Sequence, residues 1–217
     1  MNIGIIGAGN VGTGIGKRLA AKGHQILVSF ARSQDKLEAA AQAIGGGARS
    51  GLPAEAARFG EVVIVALPWG ITLEAVQEVA GELAGKVVWD TTNPLKADMS
   101  GLEIGTTTSA GEAIAKAAPG AQVVKAVPPF AEMLHSSSTE VGGGRPGVFV
   151  CGDDAEARRL VLGLVAEIGA DGVDAGPLQL ARYTEPLGML LVQLAYVQGM
   201  GSRIGAALLR DPAVASS

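Results

Sequence analysis

The 217-residue chain is short of exactly those side chains that most enzymes use for acid–base, covalent or metal chemistry. It has one cysteine, two histidines and two tyrosines, and aromatics make up 4% of it. The single thiol, Cys151, permits no disulfide framework and no two-cysteine redox centre, and a reducing cytoplasm is the expected compartment. In the apolar run "GVFVCG" it reads as a buried core residue. His24 and His135 stand far apart, and no His/Cys/acid spacing suggests a metal site. A Gly-x-Ser-x-Gly elbow and a Cys/His pair are both missing, which argues against covalent catalysis. Lys and Arg total 17 against 21 Asp and Glu, a net charge of -4, so the basic field of a nucleic-acid binder is absent. The longest apolar run, Pro186 to Gly201, contains two glutamines and falls short of the roughly 20 residues of a membrane span. It reads as a buried helix. No cationic lead precedes the first apolar stretch, so a signal peptide is not expected.

What the chain has in abundance is glycine, 32 residues, and a 48% hydrophobic content sufficient for a large core. Strand and helix signals alternate. Strands are expected at 2–7, 25–30, 61–67, 86–92 and 122–127, with helices at 10–22, 34–44, about 53–58, 71–84 and about 109–118. The nearly continuous apolar run in "EVVIVAL" is that of a central parallel strand. This rhythm predicts an α/β fold, a Rossmann-like doubly wound, mainly parallel sheet. Residues 128–147 form a long connection dense in Pro, Ser and Gly, of a length that is usually functional. A strand at 147–151, a helix at 154–168, a short strand at 171–174 and a long C-terminal helix from about 180 complete the reading. The chain thus divides into a dinucleotide-binding part, 1–127, and a part, 128–217, that completes the sheet and a second cleft and ends in a helical extension.

The opening "IGIIGAGNVGTGIG" carries Gly7-Ala8-Gly9-Asn10-Val11-Gly12, a G-x-G-x-x-G after a strand and at the start of a helix. In that setting Gly7 permits the tight turn, Gly9 lets the backbone approach a pyrophosphate, and Gly12 brings the helix close to the strand. The amides of the helix N-terminus then face the phosphates. An NAD site usually places an acid about 20 residues on, at the ribose 2′-hydroxyl. Here the end of the second strand offers Ser29, Arg32, Ser33 and Lys36 instead, a set suited to a 2′-phosphate. The expected cofactor is therefore NADP(H). "ALPWG" and "DTTNPLK" follow later strands, where open α/β sheets bind ligands. Trp69 is placed to cover a ribose or nicotinamide, or else simply forms a turn. Asn93 either bonds a ribose or carboxamide or caps its own turn.

Together these segments resemble a known family, the NADPH-dependent deazaflavin (coenzyme F-420, hereafter F420) reductases and their bacterial homologues. The resemblance runs through the glycine block, the Ser29/Arg32/Ser33/Lys36 cluster, "VALPW", "DTTNPL", "VVKAV", "FVCGDDAEA" and "DAGPLQLARYTEPL". It implies NADPH over the glycine loop and a deazaflavin in a cleft covered by C-terminal elements. It also implies contacts to NADP(H) from Gly7, Gly9, Asn10, Val11, Gly12, Ser29, Arg32 and Lys36, with Leu67, Pro68 and Trp69 near its middle. Where relatives commonly read "KAFN", this chain reads "KAVPP", which leaves the acceptor open.

Hydride transfer between nicotinamide and a flavin-like ring needs chiefly positioning and exclusion of water, so a sparse acid–base inventory is compatible with it. The expected enzyme is an NADP-dependent oxidoreductase passing hydride to a deazaflavin or flavin. Alternatives are a reductase of a ferric chelate, quinone or C=N/C=O substrate, and a non-catalytic NADP(H) sensor. His135 is the candidate catalytic residue, orienting an acceptor or donating a proton, against a plain loop histidine. Lys125 and Arg145 are candidates for an anionic acceptor tail, and Tyr183 and Tyr196 for packing. Leu187, Leu190, Leu191 and Leu194 share one helical face, and Gly201 and Gly205, four apart, would allow close approach of another helix. A small-molecule acceptor and a homodimer are the expected partners, with neither nucleic acid nor membrane.

Overall fold

In the computed structural model, which describes residues 1–211, the aliphatic runs become the strands of one sheet. Strands β1 (Asn2–Ile6), β2 (Gln25–Ser29), β3 (Arg49–Gly51), β4 (Val62–Val65), β5 (Val87–Asp90), β6 (Gln122–Lys125), β7 (Gly147–Gly152) and β8 (Asp171–Gly176) lie in the order β3-β2-β1-β4-β5-β6-β7-β8. All pairs are parallel except β6–β7. The reversal of chain direction from β1, leftward to β2 and then across to β4, opens a crevice at the carboxyl ends of the central strands.

Helices cover both faces. On one face α1 (Asn10–Ala20), α2 (Gln34–Ile44) and α8 (Ala155–Glu167) bury Ile15, Leu19, Ile44, Val161 and Leu164 against Ile3, Ile5 and Trp89. On the other, α3 (Pro53–Phe59), α4 (Trp69–Glu78), α5 (Ala80–Leu83) and α6 (Ala110–Ala117) pack against Ile6, Val63, Val65 and Val88. Residues alternate between the two clusters along the central strands β1, β4, β5 and β6, as a sheet buried on both sides requires.

Several elements differ from the sequence reading. The helix expected at 71–84 breaks at Val79, whose φ of -116° and ψ of 16° interrupt it. The polar β3 goes unseen in the sequence because three residues at a sheet edge carry no alternation. The long connection contains a short helix, α7 (Ala131–His135), whose last carbonyls are held by Arg18: Nε donates to Leu134 O and Nη2 to Met133 O and Ser136 O, at 2.8, 3.0 and 2.9 Å. The C-terminal helix begins with a 3-10 turn, runs as α9 (Ala181–Val192) and ends in a π-helical turn at Gln193–Val197. Beyond it, Gly199 and Gly201 adopt positive φ (71° and 77°) and the chain continues without regular structure. Gly201 and Gly205 therefore do not form a helical contact stripe; Gly205 instead packs on Pro146, while the Gly147 amide bonds the Ala206 carbonyl at 2.7 Å. The last six residues of the expected helical extension, 212–217, lie outside the described residues.

Candidate dinucleotide and acceptor site

The glycine turn is built as its sequence pattern requires. Gly7 has φ of 129° and sits directly against the Ala66 carbonyl, so a side chain there is excluded by conformation and by space. Its amide and that of Ala8 bond Ser29 O and Phe30 O at 2.9 and 3.0 Å, fastening the turn to the end of β2. At Gly12 a Cβ would fall on the Gly7 carbonyl oxygen, whereas at Gly9 it would meet nothing within 4 Å. Gly9 is also the N-cap of α1, where no side chain caps the helix, and the first helical bond is Thr13 N to Gly9 O. The preceding amides of the turn are thus the ones a helix N-terminus presents to an anion. This cradle fits a pyrophosphate. Glycine beyond the motif has another use: a Cβ on Gly14 would come within 2.8 Å of Leu134 Cβ, so its absence lets α7 lie against α1.

From this turn a cleft of about 620 Å³ runs along the carboxyl ends of β1, β4, β5 and β6 and under α9. Gly9, Asn10, Val11, Leu67, Pro68, Trp69 and Asn93, all expected at the cofactor, line it together. The opposite wall comes from Val127–Pro129 of the "KAVPP" segment, Leu187, Gly188 and Leu191. Phe130 meets Tyr196 edge to face at 5.6 Å, and the Tyr196 hydroxyl donates to Glu132 Oε1 at 3.2 Å. Tyr196 is thus more than the packing residue expected, and desolvation raises its pKa. Lys96, Glu132 and Tyr196 are the titratable side chains of the lining, and all three are exposed.

Of the cluster beyond β2, three members stand together on the surface and one does not. Arg32 and Lys36 are exposed at the start of α2, and Ser33 caps that helix by accepting from Lys36 N at 3.4 Å. Beside them a smaller hollow of about 280 Å³ is lined by Phe30, Ala31, Ser33, Leu37, Leu52 and Pro53. Ser29 is the exception. It is fully buried and its hydroxyl donates to the Ile5 carbonyl at 3.0 Å, because its position on β2 points into the sheet layer. His135 lies off the main cleft, at the end of α7 and facing α1, with Nε2 2.8 Å from the Asn10 carbonyl oxygen and 3.5 Å from Thr13 Oγ1. His24, read as structural, is buried with Nε2 2.6 Å from Glu167 Oε2.

Lys125 is not available to an acceptor tail. Its side chain is completely buried, with Nζ 2.5 Å from Asp90 Oδ2, 3.0 Å from Glu185 Oε1 and donating to Thr92 O at 2.8 Å. Lys125 and Asp90 are register partners on β6 and β5, and Glu185 reaches them from α9. The Glu185 carboxylate also accepts from the first amides of α6, Ala110 N at 2.9 Å and Gly111 N at 3.1 Å, where a helix N-terminus favours negative charge. A second pair ties the same helices: Arg182 bonds Glu112 through Nη2 at 2.6 Å and Nε at 2.9 Å, and this contact lowers the Glu112 pKa. Arg145 is exposed and outside the cleft lining. Burial pushes the Cys151 thiol up to about 11, in keeping with an inert core residue. The sequence signal for the buried triad was a lone lysine in "VVKAV" and a lone glutamate in "TEPLGMLLV", each a charge inside an apolar run.

Residues 2–94 match the family described as NADP oxidoreductase coenzyme F420-dependent. The F420-dependent NADP reductase of Methanocaldococcus jannaschii is 29% identical over 209 residues, covering 89% of this chain and 92% of that protein. The rat metalloreductase STEAP3 is 26% identical over 192 residues, which are 88% of this chain but 37% of that longer protein. Among solved structures, a putative F420-dependent NADP reductase from Arthrobacter sp. FB24 superposes with a TM-score of 0.84 at 27% identity, covering 96% of this chain and 99% of that one. The Rossmann-like fold is shared with these structures, the family's sequence match covers residues 2–94, and over most of its length the chain is similar to the coenzyme F420-dependent NADP reductases.

Proposed function

We propose that this protein is an NADP-dependent oxidoreductase that passes a hydride between NADP(H) and a deazaflavin of the F420 type. One observation carries the reading: a single apolar cleft begins at the glycine turn and continues, without a break, beneath α9. Such a cleft can hold two planar ring systems at its middle while their polar tails leave at either end. Gly9, Asn10 and Val11 would hold the pyrophosphate, Arg32 and Lys36 the 2′-phosphate, with Ser33 ordering the turn between them. Gly7 and Gly12 shape the turn without lining the cleft. Leu67, Pro68, Trp69 and Asn93 would border the ribose and nicotinamide. The nicotinamide supplies the hydride chemistry; the residues of this chain bind, align and keep out water. Residues 1–127 form the dinucleotide-binding part in this reading, and the later residues the acceptor wall.

The same reading includes a homodimer and a cytoplasmic location. Tyr183, Leu190, Val197 and Met200 are large apolar side chains left 69, 53, 62 and 63% exposed along α9 and just past it, an area suited to a second copy. Among the described residues no helix is long and apolar enough to cross a membrane. Sedimentation at micromolar concentration tests the dimer.

The functional test is an anaerobic mixture of protein, NADPH and oxidised F420, followed by loss of the acceptor's visible band. Enzyme-dependent bleaching is the expected result. Replacing Arg32 and Lys36 together by Ala should raise the KM for NADPH by about tenfold or more while leaving that for NADH nearly unchanged. Unaltered selectivity would refute the 2′-phosphate assignment. Reduction of a ferric chelate in place of F420 would favour the likeness to the metalloreductase.

A further inference from the structure

We propose that Thr92 and Asn93 form an amide-recognition point in the cleft wall. There Asn93 Oδ1 accepts an N–H, and the Thr92 hydroxyl donates to the adjoining carbonyl, of an amide or imide group on the ligand. The proposal rests on the reading that NADP(H) and a deazaflavin share this cleft, and adds which protein atoms select their ring substituents.

Both side chains line the cleft, and both carry a buried polar atom that no protein group satisfies: Thr92 Oγ1 and Asn93 Oδ1. Thr92 is only 4% exposed. Buried hydroxyl and amide oxygens are ordinarily hydrogen-bonded, and two adjacent exceptions in one binding wall call for a partner from outside the chain. Two further such atoms are left out of the assignment: Thr184 Oγ1 faces the Cys151 thiol, and Asp90 Oδ2 is ion-paired with Lys125.

The surroundings hold this pair in one orientation. Asn93 Nδ2 donates to the Glu185 carbonyl at 3.2 Å, which turns Oδ1 the other way. Gly188 makes room for the amide, since a Cβ there would stand 2.8 Å from Asn93 Nδ2. The Thr92 backbone is fixed from both sides, its N–H donating to Asp90 Oδ1 at 2.8 Å and its carbonyl accepting from Lys125 Nζ at 2.8 Å. The buried triad of Lys125, Asp90 and Glu185 therefore braces the very residues whose free polar atoms meet the cleft. A fixed acceptor beside a hydroxyl donor complements a –CO–NH– edge. The nicotinamide carboxamide has one, and so does the pyrimidine ring of a deazaflavin.

Two variants and two ligand pairs test the point by equilibrium binding to the intact protein. Thr92→Val removes the hydroxyl and keeps the shape. A hydroxyl serving only the fold would lower the thermal midpoint when lost; one kept for a ligand should leave the midpoint of the free protein unchanged or raised. Affinity for NADP+ or for 5-deazariboflavin should then fall about three- to tenfold. For Asn93 the ligand pairs are NADP+ with its 3-acetylpyridine analogue, in which methyl replaces the amide NH2, and 5-deazariboflavin with its N3-methyl derivative. A preference for NADP+ that Asn93→Ala abolishes assigns the point to the nicotinamide carboxamide. The same pattern in the second pair assigns it to the deazaflavin imide. Equal affinities within both pairs for the wild type, or preferences that survive Asn93→Ala in both, overturn the proposal, as does a lowered midpoint with unchanged affinity in Thr92→Val. Discrimination of NADP+ from NAD+ on the same samples reports separately on the proposed function: its absence in the wild type would refute the cofactor reading itself.

Discussion

The two walls of the cleft are made from opposite materials. On the side of β1 and α1 the wall is backbone, a turn in which glycine admits close contacts at Gly7 and Gly12 and leaves open space at Gly9. On the side of β6 and α9 it is side chains, and the wall is tied to the sheet by charges with no exposure to solvent, Lys125 between Asp90 and Glu185. A backbone wall suits the invariant part of a ligand, a pyrophosphate, because amides can be pre-aimed at low entropic cost. A side-chain wall can be re-specified residue by residue, which suits the acceptor of the proposed reaction. Its "KAVPP" segment lies in the lining, where the resemblance left the acceptor open.

The contrast can be broken most severely at the triad. Lys125→Met would leave two carboxylates buried without their cation, and the chain should lose about 3–5 kcal/mol of stability in denaturant titration. If the wall is held as described, loss of acceptor binding should precede loss of NADP(H) binding as denaturant rises. A coincident loss would mean that the two walls unfold together. Next in size is the glycine turn. Gly12→Ala forces a Cβ onto the Gly7 carbonyl and should cost about 1–3 kcal/mol as overpacking. Gly9→Ala, by contrast, meets no protein atom, and should change stability by less than about 1 kcal/mol while weakening NADP(H) binding. Equal destabilisation by the two would deny Gly9 its separate role towards phosphate.

The smallest effect is expected at the Arg182–Glu112 pair, whose side chains are about a quarter exposed (25 and 24%). Hydrogen bonding to Arg182 lowers the folded pKa of Glu112, so the pair contributes stability above the unfolded value of about 4.3 and loses it as pH falls through the lower, folded one. Arg182→Met should therefore destabilise slightly at neutral pH and not at all in strong acid, as measured by denaturant titration at both pH values. A penalty independent of pH would point to packing of the arginine stem instead.

Much of the N-terminal half was legible because its signals are local. The Gly7–Gly12 spacing, the strand before it and the Ser33 cap of α2 each lie within a few residues, and helix and strand periods are properties of short windows. Ser29 is withdrawn from the cofactor because both faces of β2 are covered and its hydroxyl is spent on the Ile5 carbonyl of the neighbouring strand. His135 looked central in sequence because it sits in a long connection, yet Arg18 and Gly14 draw α7 against α1 and leave the ring at the turn's flank.

Sequence alone determined the fold class and the shape of the glycine turn, and its charge types led to the NADP(H) proposal, since spacing, period and charge type are local properties. Tertiary structure decided the rest. The partnership of Lys125 with Glu185 spans 60 residues of chain and depends on α9 crossing the end of β6. The path of the residues after the π-helical turn is held by contacts such as Gly147 N–H with the Ala206 carbonyl. The free oxygens of Thr92 and Asn93 become visible only when the hydrogen bonds of their neighbours are traced through the packed structure. Long-range pairing and hydrogen-bond satisfaction are properties of the packed molecule, and no local pattern in the chain encodes them.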